Sequence, residues 1–416
     1  MADPSKQSIR NYYILVASMI SLQVTTSTIY MVLPVFFKQY GITNTESGVL
    51  IAIGTFAGII SSFLAGKYCD SHGRKPVLLL GVALYALVFY LFAVIGKDYG
   101  SFLLLRFVEG LAFYMTPVAV TTMAADIFPS RQRGKAMALY TMASGIGQLV
   151  GPLGAGIFID AANFFMYFIF CGAFVTVSAL VILFFVKETL PIEVKEHIEK
   201  QKGTGWSISS IWGSMKGLGI AVAFFFAAVL VYRTGNTMVN PFFSIYLTEE
   251  LNLTMTSTSY FFAVRAIMTL AFAPIAGWMA DKWGRKPPFL LGMGILIGTM
   301  LGYKIVSSFE QVLVIRALES ISNAIIMPTT RAFIADLLTP ENRGFGNGLY
   351  NTVVDESSTM GSILGGWVYD GYGFGTVFLI GAVTAFIGLF IVWLKVPEPT
   401  KLPHNIGKKS EAPRLH

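Results

Sequence analysis

The chain is short of charge, cysteine and histidine, and each shortage excludes a class of protein. Charged residues make up 13% of the 416 residues, about half of the ~25% usual in soluble domains. Cys69 and Cys171 fall in different apolar segments without metal-ligand spacing, so we expect neither a disulfide framework nor a metal site. No histidine lies in an apolar run, and no G-x-x-x-x-G-K-[ST] loop occurs. We therefore expect no cofactor, no direct use of ATP and no enzyme activity.

Long apolar runs dominate what is present. Hydrophobic residues make up 54% of the chain, and stretches near 20 residues long, enough to cross a bilayer, recur along its whole length. The sequence therefore predicts an all-α membrane protein with twelve transmembrane helices. The predicted spans are 12–37, 46–66, 76–96, 100–124, 132–158, 163–187, 217–247, 256–280, 288–307, 311–334, 344–367 and 374–396.

The net charge of +7 is distributed as the topology of a membrane protein requires. Lysine and arginine cluster before the first span, after the second, fourth, sixth, eighth and tenth spans, and in the tail. The alternate loops hold acidic residues such as Asp98, Asp160 and Asp370. The positive-inside rule then places both termini in the cytoplasm. The excess of basic residues therefore reflects the orientation of the protein in a cell membrane and does not indicate a nucleic-acid partner.

One charged phrase, G-x-x-x-D-x-x-G-R-K-P, occurs at 66–76 and again at 277–287. Further landmarks repeat in the same order, since Asp126 matches Asp336 and the pair Arg106 and Glu109 matches Arg316 and Glu319. A repeat across two hydrophobic halves is typical of transporters built by duplication. The sequence predicts two six-helix bundles, 1–187 and 217–397. A cytoplasmic linker, 188–216, joins them, and a cytoplasmic tail, 398–416, follows.

These motifs resemble those of the major facilitator superfamily along essentially the whole chain. The phrase at 66–76 is similar to the family's signature loop, and 106–110 is similar to a second family motif. The run 147–156 resembles the fifth-span motif of proton-coupled antiporters, particularly drug:H⁺ antiporters, although Ala155 stands where that motif has a glycine. The run 187–191 also resembles that subgroup. The resemblance implies the major facilitator fold, alternating access and protons as the coupling ion; we expect a monomer.

Charged and glycine residues at the ends of the second and fourth spans are expected to form a gate. Both spans end on the same predicted side, so Arg74 can reach the carboxylates of Asp70 and Asp126. Gly66 and Gly73 are expected to permit a tight turn and a close approach of helices. The resemblance implies that this cluster latches the halves while the cavity faces outward; loop anchoring alone is the alternative. The predicted gating residues are Asp70, Gly73, Arg74, Asp126, Asp281, Gly284, Arg285 and Asp336.

The fifth span is rich in glycine. Small residues let helices approach closely in lipid, and Pro152 removes one backbone hydrogen bond. We expect this helix to pack tightly along the seam between the halves, which restricts leakage during antiport; ordinary close packing is the alternative. The residues concerned are Gly147, Gly151, Pro152, Gly154 and Gly156.

Ionisable residues inside spans are costly, so each needs a partner or a function. Arg106 and Glu109 are three residues apart and share a helical face. Because Arg316 and Glu319 repeat this pair in the second half, part of its role is expected to be structural.

Other charges within spans break the repeat. Duplicated features should encode the shared machinery, and unduplicated features should encode what the protein carries. Adjacent carboxylates raise each other's proton affinity, which makes Asp355 and Glu356, beside Glu109, the predicted proton-coupling residues. Arg233 and Arg265 either bind an anionic group of the substrate, act as counter-charges, or form a structural ion pair with Asp355 or Glu356; the sequence leaves these alternatives open.

Polar side chains in the first and seventh spans are typical of helices that line a water-filled cavity. The predicted substrate-binding or cavity residues are Gln23, Thr26, Arg106, Arg233, Asn236, Arg265, Arg316 and Glu319. The leading hypothesis is proton-coupled export of small amphipathic or drug-like molecules. The alternatives are a proton-coupled uptake symporter or uniporter for a sugar or organic acid, and a lipid flippase.

Overall fold

The computed structural model describes residues 6–129, 131–190, 220–338 and 343–399. These residues form helices and no strand, so the prediction of an all-α membrane protein is confirmed. A π-helical turn, Tyr246–Glu250, directly follows the short helix Phe243–Ile245. The helices are α1 Lys6–Thr26, α2 Ile29–Lys38, α3 Asn44–His72, α4 Arg74–Val94, α5 Tyr99–Ile127, α6 Arg133–Ala161, α7 Phe164–Phe185, α8 Ile220–Val239, α9 Phe243–Ile245, α10 Met255–Trp283, α11 Lys286–Tyr303, α12 Phe309–Leu337, α13 Arg343–Tyr372 and α14 Phe374–Lys395.

Two of the predicted spans are interrupted. The first is divided into α1 and α2 at Ser27 and Thr28, and the seventh leaves regular α-helix after Val239. Counting each interrupted span once, ten helical stretches of the described residues are long and apolar enough to cross a membrane. The helices α11 and α13 complete the predicted set of twelve.

The helix bounds differ from the prediction chiefly at the repeated phrases. The helix α3 continues to His72, so Gly66 lies inside it, and a side chain at Gly66 would meet nothing within 4 Å. The expectation that Gly66 permits a tight turn is therefore wrong, and the turn depends on Gly73 alone. Most of the predicted linker and of the predicted tail lies outside the described residues.

The chain divides into two compact units. The first comprises the described part of Met1–Thr204 together with Phe243–Ala263, and the second comprises the described part of Gly205–Phe242 and Val264–His416. Within the first unit α1 packs against α6 and α7, and α4 packs against α5 and α7. Within the second unit α8 packs against α13 and α14, and α11 packs against α12 and α14. These four helix pairings of the first unit thus correspond to those of the second.

Local sequence starts several helices at defined residues. Thr43 and Glu46 form a capping box at the start of α3, and Ser308 forms another with Gln311 at the start of α12. Asp98 accepts a hydrogen bond from the Ser101 N–H, 3.1 Å away. Such caps satisfy backbone N–H groups that have no partner within the helix.

Candidate functional site

The repeated phrase of the first unit centres on Arg74. Its guanidinium Nε lies 2.9 Å from Asp126 Oδ2, and Nη1 lies 3.6 Å from Asp70 Oδ1. Nη1 also donates a hydrogen bond of 2.5 Å to the carbonyl of Cys69. The side chain of Arg74 is only 5% exposed, so these contacts satisfy a buried cation. The structure therefore brings together the three charges that the sequence assigned to a gate.

The second unit repeats this arrangement. Arg285 Nε lies 2.8 Å from Asp336 Oδ2, and Arg285 Nη1 lies 2.7 Å from Asp281 Oδ1. Gly73 and Gly284, the glycines before the two arginines, have φ of 109° and 90°. Residues with a Cβ rarely adopt such angles. Each arginine is thus presented by a turn that favours glycine.

Two further carboxylates complete these clusters, and sequence reasoning missed both. Glu188 accepts hydrogen bonds from the backbone N–H groups of Arg74 and Lys75, at 2.9 and 3.0 Å. In the second unit Glu398 accepts the corresponding pair from Arg285 and Lys286, both at 2.8 Å. Each glutamate follows the last span of its half and caps the helix that begins at the repeated phrase. The run 187–191 was the available signal, and it gave a resemblance without a role.

The environment of Glu188 favours its charged form. Burial alone would raise the pKa of Glu188, but hydrogen bonds from the backbone N–H groups of Arg74, Leu190, Thr189 and Lys75 lower that pKa below its ordinary value. Such bonds favour a carboxylate over a carboxylic acid. Glu188 is therefore an anion at neutral pH.

The two ion pairs inside spans are closed, meaning that the charged groups of each pair are in direct contact. Arg106 donates to Glu109 through Nη1 and to the Leu50 carbonyl through Nε, the latter at 3.0 Å. Arg316 Nη1 lies 2.7 Å from Glu319 Oε2. That oxygen also accepts a hydrogen bond of 2.8 Å from the hydroxyl of Tyr303. All four charged residues are buried, so both glutamates have their charge balanced inside the protein.

The charged residues without a counterpart in the other half make fewer direct contacts with opposite charges than the two closed ion pairs do. Asp355 is half-buried and interacts electrostatically with Arg233 and Glu356, yet no described residue forms a direct salt bridge with it. Glu356 is exposed. Arg265 donates a 3.3 Å hydrogen bond to Asn240 Oδ1. The structure thus places Arg233 near Asp355 and does not form the ion pair that was one of the sequence-based alternatives.

The polar face of α8 is linked through Asn323 to the backbone of Glu319, whose side chain belongs to one of the closed ion pairs. Asn236 Nδ2 donates to Asn323 Oδ1 at 3.4 Å, and Asn323 Nδ2 donates to the Glu319 carbonyl at 3.1 Å. Two buried atoms on this face, Arg233 Nε and Asn236 Oδ1, accept or donate no hydrogen bond among the described residues. One donor and one acceptor are therefore left on successive turns of α8.

The first span contributes a second polar surface in the first unit. Gln23 Nε2 donates to the hydroxyl of Tyr140 at 3.1 Å, and Thr26 Oγ1 donates to the Gln23 carbonyl at 3.2 Å. Both residues are partly exposed. The hydrogen bond of Thr26 is local, so the side chain keeps acceptor capacity.

The glycines of α6 do not all serve packing. A Cβ at Gly147 would lie 2.5 Å from the backbone of Gln23, and one at Gly151 would overlap the Val24 carbonyl. A Cβ at Gly156 would lie 2.5 Å from the Met255 carbonyl. A Cβ at Gly154 would meet nothing within 4 Å. Three of the four glycines in the run 147–156 therefore permit close helix contacts, and Gly154 does not.

Asp160, near the end of α6, caps the start of α10. Its carboxylate accepts hydrogen bonds from the backbone N–H groups of Met255 and Thr256, at 3.1 and 2.7 Å. From the sequence, Asp160 is identified only as an acidic residue of the loops that carry few basic residues. The contact joins residues 95 positions apart, and no local pattern reveals it.

Comparison with known proteins is consistent with this geometry. The profile of the Major Facilitator Superfamily matches residues 14–232 and 225–416. Multidrug resistance protein 2 of Bacillus subtilis is 25% identical over 373 residues, which cover 87% of this chain and 90% of that protein. The multidrug resistance protein MdtG of Proteus mirabilis is 25% identical over 385 residues, covering 90% and 93%.

Solved structures share the fold at low sequence identity. A bacterial homolog of the human lysosomal transporter Spinster, in an inward-facing and unoccupied conformation, has a TM-score of 0.75 at 11% identity and covers 94% of this chain and 97% of its own. The nucleoside transporter NupG has a TM-score of 0.73 at 14% identity, covering 93% and 98%. Matched in both of its halves by the profile, this multi-pass membrane transporter belongs to the Major Facilitator Superfamily.

Proposed function

We propose that this transporter exports small amphipathic or drug-like molecules from the cell in exchange for protons, by alternating access. The names of the two multidrug resistance relatives and the antiporter-like run at 147–156 support this substrate class and direction. The distribution of basic residues supports a location in the cell membrane with both termini in the cytoplasm.

The observation that carries the proton-coupling proposal is the state of the acidic residues. Glu109 and Glu319 are each held in a closed, buried ion pair. Asp355 is half-buried, lies near Arg233 and has no direct salt bridge among the described residues. A carboxylate without a contacting cation can take up a proton without breaking an ion pair, whereas Glu109 and Glu319 cannot. Asp355 is the proposed proton carrier, with Glu356 next to it, and Glu109 keeps a structural role.

The exchange follows from charge. Deprotonated Asp355 attracts the guanidinium of Arg233 and keeps a negative charge beside it in the second unit. A proton from outside removes this charge and leaves Arg233 without its neighbouring counter-charge, so a substrate held by Asp355 is released. Substrate and proton thus compete for one site, which is the minimum requirement for antiport.

Uncommitted polar atoms supply the substrate site. Arg233 Nε and Asn236 Oδ1 provide one donor and one acceptor, and Arg265 lies at the same polar face through Asn240. Gln23 and Thr26, on the polar surface of the first unit, stay predicted substrate-binding residues. Leaving such buried groups unpaired costs free energy, so a substrate that pairs with them gains affinity.

The two arginine clusters are the proposed gates. Arg74 with Asp70 and Asp126, and their counterparts in the second unit, link the ends of neighbouring spans by charge-assisted hydrogen bonds. The side chains of Asp70 and Asp281 are 56% and 76% exposed. Ion pairs with such exposed partners contribute only about 1 kcal/mol or less, so these two contacts can open and close during a cycle.

Transport in proteoliposomes tests this function. Purified protein is reconstituted in vesicles, and uptake of ethidium, an amphipathic cation, is followed with a pH gradient of either direction. We expect accumulation on the acidic side only, and its loss in Asp355→Asn with residual downhill exchange. The matched control is Asp98→Asn, a carboxylate outside the spans at a helix cap that asparagine also fills.

The outcomes separate the candidate functions. Ethidium flux that ignores both gradients would refute proton coupling, and unchanged driven transport in Asp355→Asn would refute the assigned proton carrier. Accumulation of a sugar, organic acid or nucleoside on the side opposite to the acid would instead support uptake symport. Movement of labelled phospholipid between leaflets would support the flippase alternative.

A further inference from the structure

A groove in the first unit runs between α6 and α7 over the surface of α1. Its volume is about 400 Å³, within the range of roughly 300–1,000 Å³ typical of small-molecule sites. Val24 of α1, Val150 and Gly154 of α6, and Tyr167 and Phe174 of α7 contribute to its walls. None of its lining residues is charged.

The groove exists because α6 packs more closely against α1 than against α7. At Gly151 the backbone of α6 lies against the Val24 carbonyl, and an added Cβ would overlap it. Almost one turn further on, Gly154 is exposed, and an added Cβ would meet nothing within 4 Å. Gly154 therefore serves no packing contact. The missing side chain leaves space beside Phe158 and Phe170, whose rings stack 5.2 Å apart.

The polar groups at the floor of the groove already have partners. Thr28 Oγ1 lies 2.5 Å from the Tyr167 hydroxyl and also donates to the Thr25 carbonyl at 2.6 Å. Thr25 Oγ1 donates to the carbonyls of Ser21 and Leu22, at 3.1 and 2.9 Å. A buried water needs two to four polar partners, and apolar cavities stay dry. The groove is therefore suited to hydrocarbon.

The mouth of the groove opens at the depth of lipid tails. Ile146, Val150 and Phe170 are apolar and between 46% and 50% exposed. Val150 lies eleven residues before the end of α6 at Ala161, which corresponds to roughly 16 Å along the helix. That position is well inside a hydrocarbon core about 30 Å thick.

We infer that this groove binds one acyl chain of a bilayer phospholipid. The apolar lining, the satisfied hydroxyls and the membrane-facing mouth each fit a hydrocarbon tail. No charged residue lines the mouth, so the site selects a chain and not a head group. An amphipathic substrate of the transporter is a poorer fit, because its polar part would have no partner here.

Photolabelling in membranes tests this inference. Wild-type protein is reconstituted in vesicles of phosphatidylcholine that carry a photoreactive diazirine on the acyl chain, and labelled residues are mapped by mass spectrometry. We expect labelling of Val150, Phe170 and Phe174 above the level of other lipid-facing residues. In Gly154→Leu, whose side chain fills the groove, this labelling should fall to that general level. The matched control is Gly294→Leu, an exposed glycine of α11 with equally open surroundings.

Each further outcome bears on the inference. Uniform labelling of all lipid-facing helices in wild type would overturn it without any variant, and Val150→Trp offers a second way to fill the groove should Gly154→Leu not fold. Loss of the label on addition of excess ethidium would assign the groove to substrate and overturn the lipid assignment. Replacing phosphatidylcholine by phosphatidylglycerol should leave the label unchanged; a large change would refute selection by chain alone. None of these readouts depends on transport.

Discussion

Two glycines of α6 that look alike in sequence should respond oppositely to alanine. In Gly151→Ala the new Cβ overlaps the Val24 carbonyl and Ser27 Oγ. The serine hydroxyl donates hydrogen bonds to the Val24 and Gly147 carbonyls, at 2.9 and 2.8 Å. It cannot turn away without losing these bonds, so α1 and α6 must separate. In Gly154→Ala the new Cβ meets nothing.

The magnitude follows from a comparison of the two variants. Alanine favours a helix over glycine by about 0.5–1 kcal/mol, and this gain is common to both variants. Overpacking costs about 1–3 kcal/mol and applies to Gly151→Ala alone. The free energies of unfolding of the two variants should therefore differ by about 1–3 kcal/mol, with Gly154→Ala at or above wild type.

The assay uses the protein's own thiols. Cys69 and Cys171 are both buried, so a thiol-reactive fluorescent dye reports unfolding in detergent. Wild type and the two variants are heated in the same detergent at the same rate. A midpoint for Gly151→Ala equal to or above that of Gly154→Ala would refute the reasoning, because it would mean that α6 does not depend on its contact with α1.

Three further changes test other contacts. Glu188→Gln removes a carboxylate whose pKa is lowered in the folded state; the charged carboxylate stabilises wild type above the ordinary carboxyl pKa, and this stabilisation is lost as the pH falls through the lowered pKa. The thermal midpoint of the variant should therefore vary less with pH on the acid side than that of wild type. Parallel acid profiles of the two proteins would contradict this. Asp160→Ala should lower the free energy of unfolding by about 0.5–2 kcal/mol because it removes the cap of α10, and Asp160→Asn should lower it less. Equal thermal midpoints for both variants and wild type would show that the cap adds no stability. Glu319→Gln leaves the buried guanidinium of Arg316 facing a neutral amide and should cost about 3–5 kcal/mol, measured as the loss of folded protein in a thermal scan; wild-type stability would mean that the pair is dispensable.

The features that could be predicted from the sequence are those that follow from helical periodicity or from the internal repeat. The order of the spans follows from apolar runs, and the pairing within Arg106 and Glu109 follows from a spacing of three. The contact of Arg74 with Asp126 spans 52 positions, yet it could be anticipated because Arg285 and Asp336 repeat it at the ends of corresponding spans. Duplication thus supplied long-range information that a single copy does not contain.

Contacts without a repeated charge pattern were not predictable. Glu188 lies 114 positions from Arg74, and its role depends on a turn that points backbone N–H groups at a carboxylate. The different surroundings of Gly151 and Gly154 depend on how α6 is rotated against α1, which a glycine-rich pattern does not specify. The role of Asp355 as proton carrier stays a prediction.

The boundary between the compact units does not follow the boundary of the repeat. The segment Phe243–Ala263 comes from the second copy in the sequence but belongs to the first unit, where Ser244 donates to the Tyr30 carbonyl at 3.3 Å and Lys38 lies 3.7 Å from Glu249. During synthesis the first unit cannot be completed until the ribosome has passed Ala263. A gene cut at the linker and expressed as two fragments would yield a leading fragment without Phe243–Ala263, although these residues pack with it in the intact chain.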